Sequence, residues 1–545
     1  MKGPRHFSEN LSVSPQSAQK PWPERHIILT GFMGAGKTTV GRMLSQKLGR
    51  PFVDLDEELE RRHHKPIREI FLDRGEDFFR KAESALLLSL IDRDRPIVLA
   101  TGGGVVETPA NFPLLSSSLT FFLDLGPEAA WGRIGGSDPS RPNAPSFESF
   151  KKLYLKRRPL YQSSGRVMEA GAAPEKVTEL ICGHVLEESP VTLACEGRDC
   201  LIRTYAPLSR WPILAASLLG PRKAMVLLDS HFKESEEKVS DIFGSSKVVY
   251  AEANGEAAKT LAEAGRLLSL MAEEKLARDD FLIVIGGGSL SDLGAFCAGL
   301  YRRGLNLVIA PTTLLSAVDA SVGGKTAVNL SGAKNQVGHF YLPREVWMDP
   351  FVLSDLPMAL RLEGLTEAYK TGLALDPLLA AAVEGPIDSI LNGDVPLTSE
   401  IIHRSAAAKA GLVEKDFREV LGIRDILNLG HTYGHAVESY HSPKVSHGRA
   451  VALGLAVALK YSETHLGFPP KLADKGVELC LKLAGGEFPS APPENEASSL
   501  LLFDKKIRGG KLKYVGLSAL GSPVVLEADP GAILAIAKAL APGEA

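Results

Sequence analysis

The peptide Gly31-Phe32-Met33-Gly34-Ala35-Gly36-Lys37-Thr38 constrains this chain more than any other stretch. An apolar run, His26–Thr30, enters it as a strand, and an amphipathic pattern from Lys37 to Leu48 leaves it as a helix. Glycines at these places let backbone N–H groups wrap a phosphate, helped by the positive end of the helix that follows. Lys37 is then placed to neutralise the outer phosphates of a nucleotide, and the Thr38 hydroxyl to hold Mg²⁺. Gly34, Ala35, Gly36 and Thr39 complete the expected nucleotide contacts. An ordinary Gly-rich turn is the alternative, but here every fixed position of the phosphate loop is met between a strand and a helix.

At 545 residues the chain exceeds what one hydrophobic core supports. Strand-like runs alternate with helical patterns in both halves, the mark of α/β architecture. In the first half the strands fall at His26–Thr30, Phe52–Asp54, 97–100 and 119–125, before a cluster of turn residues at Gly135–Ser140. The period is lost around 187–203, which reads as a linker between a domain over 26–186 and one over 204–354. That second unit shows strands at 223–229, 247–252, 281–285 and 306–310. From about Asp355 to the end, Ala- and Leu-rich helical patterns dominate a third domain (355–545), closed by a short β-like tail at 513–517.

A net charge of −3 gives no footprint for nucleic acid or an anionic membrane. No apolar run reaches the roughly 18–20 residues that cross a bilayer. Residues 1–25 are polar and read as a disordered leader without a signal-peptide core. Five cysteines, among them Cys195 and Cys200, are few and odd in number, which suits structural thiols in a reducing, cytoplasmic setting.

Over roughly 25–186 the chain resembles shikimate kinases. The resemblance is carried by the phosphate loop, Asp54-Leu55-Asp56, Phe79-Arg80, Gly102-Gly103-Gly104 and Arg157-Arg158-Pro159-Leu160-Tyr161. It implies that Asp54 supports Mg²⁺ and that Asp56 meets the substrate hydroxyls as a catalytic group. It further implies that Arg80 and Arg157 grip the shikimate carboxylate, with Gly102 to Gly104 closing round the ring. Arg is the side chain suited to a planar carboxylate. Each residue alone has a plainer role: Asp54 could cap a helix, and Arg80 could pair with Glu76 or Glu83. By the same resemblance Arg133 stacks on adenine and Arg141 is the lid arginine. Arg158 stands where the family usually carries Asn.

The second half resembles 3-dehydroquinate synthases over nearly all of 210–525. The matching pieces are Gly286 to Asp292 after a buried strand, Pro311-Thr312-Thr313, Val318 to Thr326, and Lys334-Asn335. NAD⁺ contacts are implied at Asp229, Gly255, Glu256, Lys259, Gly287, Gly288, Ser289, Leu290, Ser291, Asp292, Thr312, Thr313, Lys325 and Lys334. Arg303, Asp319, Asn335, Lys370, Lys409 and Arg424 are implied to hold the cyclised substrate, with Lys325, Lys370 and His435 catalytic. One carboxylate and two imidazoles with open positions suit a catalytic Zn²⁺. The resemblance assigns these ligands to Glu367, His431 and His447, although His431 and His435, one helical turn apart, could equally both be ligands on spacing alone. Three departures stand out: Arg449 where the family has Glu, Leu-Ser-Gly-Ala at 330–333, and one extra residue between Lys409 and Arg424.

The expected architecture is therefore a P-loop kinase domain on a parallel sheet, an α/β NAD-binding domain, and a mainly helical metal domain. The resemblances imply phosphorylation of shikimate by ATP with Mg²⁺. They also imply NAD⁺- and Zn²⁺- (or Co²⁺-) dependent cyclisation of a seven-carbon sugar-acid phosphate with loss of phosphate. Partners are expected to be small molecules, not nucleic acid or membrane, and a homodimer is expected through the synthase half. The rival readings are another sugar-phosphate cyclase or a metal-dependent alcohol dehydrogenase in the second half, or a non-catalytic ATP sensor in the first.

Overall fold

Unbroken apolar runs become strands buried on both faces, as parallel sheets require. The computed structural model describes residues 25–92, 96–135, 146–187, 190–244, 246–385, 387–503, 507–508 and 511–541. Arg141, residues 1–24 of the expected leader and residues 136–140 of the turn cluster lie outside them. The described residues fall into two compact units, one on each side of 188–189.

The first unit is built on β1 (Ile27–Thr30), β2 (Phe52–Asp54), β3 (Val98–Ala100), β4 (Leu119–Asp124) and β5 (Arg166–Glu169). The sheet order is β2-β3-β1-β4-β5, and every pair is parallel. All four residues of β1 are buried. Because β1 lies between β3 and β4, its carboxyl end opens at the point where the strand order reverses, the usual place for a ligand in such sheets. The Lys37–Leu48 helix leaves from there, entered through Gly36 at φ 92°, a backbone conformation that glycine adopts without a Cβ penalty.

The second unit carries β6 (Val191–Cys195), β7 (Arg198–Arg203), β8 (Ala224–Leu228), β9 (Lys247–Tyr250), β10 (Phe281–Gly286) and β11 (Asn306–Pro311). It continues with the hairpin β12 (Lys325–Leu330) and β13 (Ala333–Phe340), then β14 (Glu345–Trp347). The large sheet runs β6-β7-β14-β11-β10-β8-β9. Successive residues alternate faces: Met225, Leu227, Leu282 and Val284 pack on one side, Val226, Leu228, Ile283 and Ile285 on the other. β8 leads outward to β9 and β10 leads the other way to β11, so the carboxyl ends of β8 and β10 flank the crevice.

The expected linker over 187–203 is a correction. β6 and β7 form an antiparallel hairpin, and β7 continues the sheet by pairing in parallel with β14. Val191, Leu193 and Cys195 alternate inward with Thr192 and Ala194 outward. This is a period of two, unlike the unbroken runs of the central strands, so the sheet begins before Thr204. A chain of Pro190–Ala545 is therefore expected to fold, whereas Thr204–Ala545 loses the buried Val191, Leu193, Cys200 and Ile202. Full burial of each large apolar side chain contributes about 1.5–3 kcal/mol. Thermal unfolding of the two fragments checks this, with the shorter one expected insoluble or melting far lower.

Beyond β14 the unit is mainly helical, with long helices at Met358–Leu375, Val395–Val413, His431–His441 and His447–Leu466. The short tail expected at 513–517 is part of a three-stranded sheet of β15 (Ile507–Arg508), β16 (Lys511–Ala519) and β17 (Ser522–Ala528). All five cysteines are free and buried. Among the described residues no helix is long and apolar enough to cross a membrane.

Two candidate active sites

At the phosphate loop, Lys37 Nζ donates to the carbonyls of Gly31 at 2.9 Å and Phe32 at 3.2 Å. Thr38 Oγ1 donates to Asp54 Oδ2 at 2.7 Å, while Asp54 Oδ1 accepts from the backbone of Asp56 at 3.1 Å. Asp54 thus caps the Leu55–His63 helix and also faces the Thr38 hydroxyl: both readings of it hold at once. Arg133 lies over the loop, with Nη1 3.7 Å from where a Cβ on Gly36 would stand, and donates to Ala170 O at 3.2 Å.

The loop adjoins a second cluster. A Cβ on Gly103 would stand 3.5 Å from Met33 Cγ, one on Gly102 2.5 Å from Asp56 Oδ1, and one on Gly104 2.2 Å from the Arg80 guanidinium. Glycine is what lets this turn pass so near three functional side chains. Burial pushes the Asp56 carboxyl up to about 6, against the pull of Lys37. Arg80 pairs with Glu83 at 2.8 Å and Glu76 at 3.3 Å, so its plainer role is also present. Arg157 is buried; it donates to Gly103 O at 3.0 Å and pairs with Glu107. Glu83, named in the sequence only as a plain partner for Arg80, is fully buried with Oε1 unpartnered, and Glu107 was not singled out at all. Arg158 turns away onto Asp124 at 2.8 Å, which accounts for the departure from Asn without involving the cluster.

In the second unit, Gly287 enters the Gly288–Leu300 helix directly from β10. A Cβ on Gly287 would stand 3.3 Å from Thr313, and one on Gly286 3.4 Å from Asp229 Cβ at the end of β8. Lys259 is buried and donates to Asp292 Oδ2 at 2.8 Å and Asn335 Oδ1 at 2.6 Å. Ser289 and Asn329 donate to the two oxygens of Glu256 at 3.1 and 2.8 Å. Gly255, at φ 59°, precedes Glu256. The structure thus ties Asn335, through Lys259, to the residues the sequence assigned to the nucleotide, and not to the substrate set in which the sequence placed it. The altered 330–333 segment is the tight turn of the β12–β13 hairpin, with Ser331 and Gly332 both at positive φ, the pattern that matches strand twist.

A second group gathers on Asp319, in a single π-helical turn, Ser316–Ala320. Lys409 Nζ donates to its Oδ1 at 2.6 Å. Burial pushes the Asp319 carboxyl up, but Lys409 and Lys370 outweigh it and hold the group down at about 2. A Cβ on Gly323 would stand 3.3 Å from Arg424 and 3.8 Å from Lys409. Lys325 is half-exposed and pairs with Glu419, which Arg424 also meets at 3.2 Å; no contact ties it to the glycine turn at Gly287. Arg303 is exposed, at φ 63°, with no ion-pair partner among the described residues.

Glu367, His431 and His447 converge. The Glu367 carboxylate is buried, with Oε1 3.3 Å from His447 Nε2 and 3.5 Å from His431 Nε2, and Oε2 2.5 Å from Lys370 Nζ. The far nitrogen of each imidazole is engaged: His447 Nδ1 donates to Glu438 at 2.9 Å, and His431 Nδ1 to Leu429 O at 3.3 Å. Both rings thereby present Nε2 to Glu367, the arrangement that orients metal-bound histidines. Burial pushes His431 down to about 3, so it is a neutral donor. The donor atoms of the three lie within 4.8 Å of one another, so the residues fit a divalent cation. His435 groups with Glu438 and His447 instead. Glu438, which also takes Lys334 at 3.0 Å, was missed in the sequence.

Backbone contacts seat these ligands. A Cβ on Gly448, beside His447, would stand 2.7 Å from Glu363 Cα, and one on Gly454 would stand 1.9 Å from the carbonyl oxygen of Gly430, beside His431. Arg449 points elsewhere, donating to Ala484 O at 2.9 Å.

The shikimate kinase family model matches residues 33–186, and the 3-dehydroquinate synthase N-terminal and C-terminal models match residues 249–362 and 364–507. The bifunctional shikimate kinase/3-dehydroquinate synthase of Thermotoga maritima is 32% identical over 518 residues, 94% of this chain and 99% of its own. A 3-dehydroquinate synthase of Synechocystis sp. is 40% identical over 280 residues, 50% of this chain and 77% of its own. Among solved structures, 2-deoxy-scyllo-inosose synthase complexed with carbaglucose-6-phosphate, NAD⁺ and Co²⁺ matches with TM-score 0.59 and 24% identity. That match covers 64% of this chain and 100% of the other; at this identity it is a likeness of fold.

Proposed function

The chain belongs to the bifunctional shikimate kinase/3-dehydroquinate synthase family, and on that premise we propose which side chains perform each of its two reactions. In the kinase half, ATP lies on the Gly34–Thr39 backbone and Lys37 turns from its loop carbonyls to the outer phosphates. Thr38 and Asp54, already in contact, hold Mg²⁺. Arg157 and Arg80 take the shikimate carboxylate. Asp56 receives the proton of the attacking hydroxyl; burial holds its pKa near neutral, where a general base works best.

In the synthase half, bound NAD⁺ supplies a reversible hydride acceptor and Zn²⁺, or Co²⁺ on the same donors, supplies Lewis acidity. Glu367, His431 and His447 hold the cation. The Gly287–Ser289 turn, Lys259 and Asp229 hold the dinucleotide at the crevice between β8 and β10. Lys409, on the Asp319 carboxylate, and Arg424, beside Gly323, offer cations to the substrate's phosphate and carboxylate. Lys370 orients the substrate hydroxyls next to Glu367. His435, beside both ligating rings yet outside their trio, carries a proton to or from the reacting oxygen. The five buried thiols support a reducing, cytoplasmic setting.

The observation that carries the synthase reading is the pair of imidazoles locked with Nε2 towards a buried carboxylate. Purified protein is expected to phosphorylate shikimate with ATP and Mg²⁺. It is expected, in a separate assay, to release phosphate from 3-deoxy-arabino-heptulosonate 7-phosphate with NAD⁺. Failure of either assay with folded protein removes that half of the assignment.

A further inference from the structure

The kinase site already contains a carboxylate where the reading above puts the substrate's. Arg157 is buried, its Nη1 donates to Gly103 O, and its ion-pair partner among the described residues is Glu107. The same carboxylate lies 3.7 Å from Arg80 Nη2. Its other oxygen meets the exposed Lys156 at 3.1 Å. Burial pushes the Glu107 carboxyl up, yet Arg157 and Lys156 together hold it below the usual range, so it is an anion at neutral pH. Glu107 comes directly after the glycine turn, in the short helical turn Val105–Glu107.

We propose that Glu107 is an internal competitor for the substrate's carboxylate and so sets the kinase's affinity for shikimate. This rests on the assignment of Arg157 and Arg80 to that carboxylate. A buried guanidinium left without a counter-charge is costly, so the empty site needs an anion beside Arg157. Glu107 provides it without a ligand. Shikimate brings a group of the same charge and shape, and two carboxylates side by side on Arg157 repel each other. Binding is therefore an exchange of one carboxylate for another, and Lys156 remains as a partner for the displaced Glu107. No bond forms or breaks. The phosphorylated product carries the same carboxylate, so Glu107 returns as it leaves and favours release. A neutral analogue need not evict Glu107, because an amide can lie beside a carboxylate without repulsion. Glu107 thus lowers affinity for the acid selectively.

The magnitude follows from the fraction of molecules with the cradle open. If that fraction is about one in ten, apparent KM is raised about tenfold. Glu107→Gln keeps the shape and removes the charge. Its KM for shikimate is expected to fall about tenfold, with KM for ATP and the inhibition constant of shikimate carboxamide unchanged within about twofold. An unchanged or higher KM for shikimate overturns the proposal and makes Glu107 a positioning residue for Arg157. A parallel fall for acid and carboxamide also overturns it. Should the variant not fold, Glu107→Asp, one methylene shorter, carries the same test in the same direction. Arg157→Ala separates this from the underlying reading: it is expected to weaken shikimate far more than the carboxamide. Equal weakening of both would mean that Arg157 does not bind the carboxylate, whatever Glu107 does.

Discussion

Glu367→Gln is expected to empty the synthase half of its divalent cation and to stop phosphate release from the seven-carbon substrate, while shikimate phosphorylation continues at the parental rate. Glu367 is the one carboxylate of the trio, with Oε1 towards the two rings and Oε2 on Lys370. The amide keeps the shape and loses the charge that a cation needs. It also leaves Lys370 buried beside a neutral group, and breaking such a pair costs about 3–5 kcal/mol. The variant's unfolding temperature should therefore fall as well. Elemental analysis of purified protein gives the readout that does not depend on turnover. His447→Ala should likewise lose metal, and His435→Ala should keep it. Metal retained without His447 and lost without His435 would reverse the ligand assignment.

Lys37→Ala should lower the rate of shikimate phosphorylation by about 10²–10³-fold, as expected when one preorganised charge is removed from a developing anion. The synthase rate should not change, since Lys37 belongs to the other unit. Lys37 also bridges the carbonyls of Gly31 and Phe32, so part of the loss can come from a slacker loop. A coupled assay of ADP release with varied ATP separates the two: a slack loop raises KM, and a missing charge lowers kcat. A parental kcat would remove Lys37 from the chemistry.

The features legible in the sequence are those written in consecutive residues. The phosphate loop, the Lys37–Leu48 helix and the buried strands β1, β8 and β10 each depend on a local run, and the chain order supplies their parallel neighbours. The β6–β7 hairpin was missed because its five- and six-residue strands alternate in and out, while a central strand of the same sheet such as β10 is buried throughout. Glu107 was invisible for another reason: it meets Arg157 fifty residues along the chain, and nothing at either position records the meeting. Glu438 lies three residues after His435, yet its partners are His447 and Lys334, on two other elements. Spacing left His431 and His435 equal as ligands. Only the packing of three helices groups His431 with Glu367 and sets His435 apart.

The glycines beside the ligands carry a consequence for how this protein can be altered. At Gly448 and Gly454 the helices bearing Glu367, His431 and His447 come together against main-chain atoms, the Glu363 Cα and the Gly430 carbonyl, with no side chain on the glycine side of either contact. A seam filled by Leu and Val can be refilled with other shapes, and its width drifts with each refilling. A seam made of backbone has a single width. The spacing of Glu367, His431 and His447 is thus insulated from the surrounding core: an engineer can repack the apolar faces of these helices for heat resistance without shifting the three side chains. The added methyl group that stabilises most helices is the change these two positions cannot take.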